Sequence, residues 1–131
     1  MLKKIQTEDG ECIASLKSEK EIDAMKKELR SSKSLPRTLR WLEAVKDPTR
    51  FQLIYLLYRY DMLCVCDLAN IVEVSSSATS QHLRKLRDMD LVQVFRVKQT
   101  MFYRLKNKQF LLFFTKFLDE EGRLERIKTG S

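Results

Sequence analysis

Cysteine is scarce in this chain, three in 131 residues, and two of the three stand one residue apart in Met62–Ala69, "MLCVCDLA". Thiolates are soft donors that favour thiophilic ions over Mg, Ca or Mn, and the same sulfurs can oxidise. Cys64 and Cys66 are therefore either small core fillers or a pair that grips something. The third, Cys12, is far away near the N-terminus. The thiols have no C-x-x-C motif, no glycine-rich phosphate loop and no histidine beyond His82 to accompany them. A thiol enzyme would lack its base, and an organic cofactor its cradle, so neither is expected.

A second group of residues suits a different chemistry. Between Ser75 and Lys108, eight basic side chains stand against two acidic ones, in a chain of net charge +7. Such a patch fits a polyanion, and double-stranded DNA is the first candidate. In "SSSATSQHLRKLRDMD", residues Ser77, Ser80, Gln81 and Arg84 recur at spacings of three, four and seven. That puts them on one face of a helix, opposite Leu83 and Leu86. Short polar residues allow close approach to base edges, and Gln and Arg can make bidentate contacts there. His82, on the same helix, either meets DNA or packs. Arg87, Arg96 and Lys98 suit phosphates and would set position rather than sequence.

These side chains need elements to hold them. "SLPRTLRWLEAVKDPTRFQLIYLLYRY" predicts two helices, with Leu39, Leu42 and Val45 at helical spacing in the first. Asp47 followed by Pro48 restarts the chain as an N-cap and first helical residue. Phe51, Ile54, Tyr55 and Tyr58 then share one apolar face. A further helix is expected over roughly 63–71, and the serines after Val74 can cap the next. "LVQVFRV" and "TMFYRL" predict two strands joined at Lys98 and Gln99. The final helix carries Phe110, Phe113, Phe114 and Phe117, a greasy face too broad for a small protein to cover and so expected to pair two copies.

Helix, short turn, helix and two-stranded hairpin is the winged helix-turn-helix order, whose second helix enters the major groove. The expected architecture is mainly α with a small two-stranded β-wing, assembled as a homodimer. Residues 1–33 would be an N-terminal extension carrying Cys12, 34–120 the winged and dimerising domain, and 121–131 a tail. No apolar run reaches the ~20 residues a bilayer span needs, and "MLKKIQTEDGEC" lacks a signal-peptide apolar core. A cytoplasmic protein with reduced thiols and no membrane partner is expected.

On "DPTRFQLIYLL", "LCVCDLA", "SSSATSQHLRKLRDMDLV" and "FYRL", the sequence resembles the ArsR/SmtB metal-responsive repressors, from about Leu35 to Phe117, and most of all their arsenic- and cadmium/lead-sensing branches. The resemblance implies a homodimer that binds an operator with inverted-repeat symmetry and leaves it when metal arrives. Asp90 stands where the family has Gly before the wing, and Asp tolerates the left-handed conformation that position needs. Asn107 and Gln109 occupy the start of the zinc-type relatives' C-terminal site, and no histidine is available to complete one. In the arsenic sensors a third cysteine stands where this chain has Ala69; the cadmium/lead sensors draw thiols from an N-terminal extension. The likeness thus implies a ligand set of Cys64 and Cys66 with Cys12, the last from the partner subunit, suited to As(III), Sb(III) or Pb(II), or to Cd(II) with a further donor. On a regular helix, residues i and i+2 point about 200° apart, so joint ligation by Cys64 and Cys66 is expected to unwind a helix start and disturb the DNA-reading pair. A thiol redox sensor and a metal-independent DNA-binding dimer are the competing expectations.

Overall fold

A computed structural model describes residues 3–7 and 10–118, with side chains from Leu16 onward. The chain divides into two units, Met1–Leu39 and Arg40–Ser131. In the first, β1 (Lys3–Thr7) and β2 (Gly10–Ser15) form an antiparallel pair with a register shift between Lys3 and Ile5. Helix α1 (Glu19–Ser31) follows. Its start is a capping box: Ser18 Oγ accepts the Glu21 N–H at 3.1 Å, and the Glu21 carboxylate accepts the Ser18 N–H at 3.2 Å. α1 buries no residue.

α2 (Ser34–Val45) and α3 (Pro48–Tyr60) meet at "KDPTR", where one turn closes two helices. The Asp47 carboxylate accepts the Arg50 N–H at 3.0 Å, the expected N-cap, with Pro48 at the first helical position. The Arg50 side chain reaches backward instead. Its Nε donates to the Ala44 carbonyl at 3.0 Å and Nη2 to that of Glu43 at 3.2 Å, supplying two orphan acceptors at the end of α2. α2 buries Trp41, Ala44 and Val45. Leu39 and Leu42, on the stripe the periodicity points to, are exposed in this single chain.

Two short elements carry the next segment: β3 (Met62–Cys64) and α4 (Val65–Val72). After a left-handed Glu73 (φ 58°), Ser75 caps α5 (Ser76–Asp88) by accepting the Ala78 N–H at 3.1 Å. α5 ends in a Schellman motif: Asp90 N–H donates to Arg87 O at 2.9 Å and Leu91 N–H to Leu86 O at 3.0 Å. Asp90 adopts φ 64°, the conformation expected of the residue standing in for glycine. β4 (Val92–Val97) and β5 (Thr100–Leu105) form the wing. Lys98 turns it at φ 58°, and Arg96 Nε donates to the Lys98 carbonyl at 3.1 Å.

The mainly helical architecture with an antiparallel wing is that of a winged helix-turn-helix. The sheet has a third member that the sequence pattern does not announce. β3 pairs with β5, giving the order β3-β5-β4. α6 (Lys108–Thr115) begins at Asn107, whose side chain accepts the Phe110 N–H at 3.0 Å; Asn107 is thus a helix cap. The helix stops sooner than its apolar run suggests, and the proposed tail at 121–131 lies outside the described residues. Phe110 and Phe114 correct the expectation of a four-phenylalanine pairing face. Both are fully enclosed in their own chain's core, Phe110 edge-on to Trp41 at 5.7 Å and Phe114 against Phe51 at 5.1 Å. Phe113 is half-buried, which leaves Leu112 and Phe117 as the exposed part. Among the described residues, no helix is long and apolar enough to cross a membrane.

Candidate functional site

Burial decides which side of α5 faces outward. Thr79, Leu83 and Leu86 are buried, and the opposite side presents exposed Ser77, Gln81 and Arg84 with half-buried Ser80. Arg87 is exposed near the helix end. Lys85 was not singled out by the spacing argument, yet it borders an open groove with Gln81, Arg84, Asp88 and Met89. Asp88 puts a negative charge on this otherwise basic face. On the wing, Arg96 and Lys98 are both exposed, and part of the Arg96 guanidinium is committed to closing the turn.

His82 is half-buried beside the α2–α3 junction. The Asp47 carboxyl there is held below the ordinary carboxylate range, first by the Arg50 backbone N–H, with burial opposing. The charges of Arg50 and His82 add smaller effects in the same direction as the hydrogen bond. His82, midway along α5, is thus partly covered and within electrostatic reach of the Asp47 cap.

The two neighbouring cysteines straddle an element boundary. Cys64 ends β3 and occupies the N-cap position of α4 in an extended conformation (φ −85°, ψ 161°), without a side-chain capping bond. Cys66 lies in the first turn of α4. Both are free thiols, Cys64 half-buried and Cys66 exposed. Neither fills the core; α4 buries Leu68 and Ala69 for that purpose. Cys64 is opposite Phe102 in the ladder, and Phe102 is opposite Phe95. Directly opposed residues share a sheet face, so these three lie on the side away from buried Tyr103.

This placement corrects the expectation that ligation must unwind a helix. Cys64 already lies outside α4, because its backbone is drawn into the edge of the β-sheet. Two accessible soft sulfurs on adjoining elements suit part of a thiophilic coordination sphere. Among the described residues, no cluster of three or more His, Cys, Asp or Glu forms a metal cage. Cys12 is on β2, opposite Ile5, and its side chain lies outside the described residues.

Comparison with known proteins adds a lineage to this geometry. A model described as "Bacterial regulatory protein, arsR family" matches residues 47–94. The cadmium resistance transcriptional regulatory protein CadC of Listeria innocua is 32% identical over 71 residues, 54% of this chain and 60% of that protein. The match thus spans about three fifths of that relative's length. The arsenical resistance operon repressor of Escherichia coli is 33% identical over 82 residues, 63% of this chain and 69% of the relative. Among solved structures, the antimony-specific transcriptional repressor AntR superposes with a TM-score of 0.61 at 26% identity, over 66% of this chain and 78% of that one.

Proposed function

The chain belongs to the ArsR family of bacterial regulatory proteins, and from that premise we propose that it is a homodimeric repressor that binds operator DNA and is released when a thiophilic metal or metalloid engages its cysteines. The observation that carries this reading is the position of the two free thiols. Cys64 terminates the strand that joins the wing sheet, and Cys66 opens the first helix of the helix-turn-helix pair. Anything that draws the two sulfurs together acts at once on the strand paired with the wing and on the helix packed against α5. Release follows from differential affinity between two arrangements of these elements, and a coupling of a few kcal/mol suffices to clear an operator.

Within this reading each residue has a role. Ser77, Ser80, Gln81 and Arg84 meet base edges; Arg87, Arg96 and Lys98 meet phosphates, and half-buried His82 on the same helix either meets DNA or packs. Cys64 and Cys66, completed by Cys12 of a second copy, would hold the ion through bonds to soft sulfur. As(III) and Sb(III) suit three thiolates, as Pb(II) does, while Cd(II) would take a further donor. The names of the matched relatives, concerned with cadmium, arsenical and antimony response, support this choice of ions. The exposed Leu112 and Phe117 support pairing of two copies.

The test uses a labelled duplex selected from a random pool by the metal-free protein. Anisotropy is followed while arsenite, Cd(II) and peroxide are added in separate titrations. Release by arsenite or Cd(II), with no response to peroxide, is the expected result. Release by peroxide alone would make the protein a thiol redox sensor, and no release by any of the three would make it a metal-independent DNA-binding dimer.

A further inference from the structure

Asp61 turns the chain from α3 into β3 at φ 69°, ψ −67°. This is the γ-turn region, which a residue with a side chain occupies only under constraint. The wing reaches this turn. Arg104 of β5 donates from Nε to Asp61 Oδ1 at 3.2 Å and from Nη2 to Oδ2 at 2.6 Å, a two-pronged pair. Its side chains are 40% and 25% exposed, so the pair is partly sheltered from solvent. The hydrogen bond to Asp61 and that carboxylate's charge raise the affinity of Arg104 for its proton, against the effect of burial. The same guanidinium lies 5.9 Å from the Phe95 ring centroid on β4. One side chain therefore touches the turn before β3, belongs to β5 and leans on β4.

β3 is three residues long, with Asp61 immediately before it and Cys64 at its end. We propose that the Asp61–Arg104 pair is the link that carries ligation at Cys64 to the wing, by anchoring the far end of β3 to β5. This inference rests on the thiol-sensing reading and names its transmission. A strand held at its start cannot pivot there. A pull on Cys64 is then delivered to Phe102, its ladder partner, and through β5 to the hairpin. Without the pair, so short an edge strand swings at Asp61, and the pull is spent in the turn. Asp61 and Arg104 are positioning residues: neither is asked to touch DNA or the ion.

The experiment compares the full-length parent with Asp61→Gly, which removes the carboxylate while admitting the same φ, and with Arg104→Gln. The probe is sodium arsenite with the selected duplex. The readout is the ratio of duplex Kd with saturating arsenite to that without it. Both variants should bind arsenite as the parent does, while the ratio falls tenfold or more toward one. Arg104→Lys should recover part of it. Hydrogen exchange in the absence of DNA gives a second readout. Arsenite should speed exchange over 100–105 in the parent, and only over 62–65 in the variants. A purely structural role would weaken DNA binding equally with and without arsenite; an unchanged ratio in the variants overturns the proposal. A ratio of one in the parent itself sinks the thiol-sensing reading, a separately recognisable result.

Discussion

Asp47 and Arg50 divide the work of a single turn. One carboxylate caps the start of α3, and one guanidinium caps the end of α2, so the motif "DPTR" is a backbone device. The Asp47 half was legible, because Asp before Pro at the head of an apolar run is a start signal. The Arg50 half was not: an arginine in an amphipathic helix gives no sign that it will fold back onto carbonyls six and seven residues earlier. Because the Asp47 pKa is lowered in the folded chain, its charge stabilises the fold above its ordinary value of 3.8. That contribution is lost as the pH falls through the lower native value. Asp47→Ala should therefore cost about 1 kcal/mol at neutral pH. The gap to the parent should narrow below about pH 4, as read by urea unfolding across the pH range. The cysteines were legible as candidates by type and spacing, but their separation onto two elements was not.

At the scale of elements, the helices declared themselves through caps and period. α3 and α5 begin where Asp47 and Ser75 stand, as the cap residues indicated. β3 did not. Three residues are too few to alternate, and its partner Tyr103 lies 40 positions beyond Leu63, a relation no local pattern encodes. The final helix misled for a related reason: periodicity locates an apolar face without saying whether the same chain or a second copy will cover it. Phe110 and Phe114 are covered by α2 and α3. The wing turn holds a testable compromise, since Lys98 is neither Gly nor Asn but sits at φ 58°. Lys98→Asn should raise stability by about 0.5–1 kcal/mol by easing that conformation. Under the proposed phosphate role it should also flatten the salt dependence of DNA binding by about one unit of slope. Thermal unfolding and anisotropy over a range of salt concentrations check the two halves independently.

The whole molecule joins two chemistries that were visible separately in the sequence, a basic helix–hairpin segment and a pair of soft donors. The fold adds their adjacency. Cys64 and the wing belong to one sheet, and Cys66 and α5 to one helix-turn-helix, so the thiols lie on the two elements that adjoin those proposed to meet DNA. If that adjacency is the mechanism, DNA affinity and thiol ligation are two ends of one equilibrium. The most direct measurement is the anisotropy of the selected duplex under arsenite for the parent, Cys64→Ser, Cys66→Ser and Cys12→Ser. The account predicts that all four bind the duplex alike without arsenite, that arsenite releases the parent, and that each variant stays bound. Release of Cys64→Ser or Cys66→Ser at the parent's arsenite concentration would contradict it.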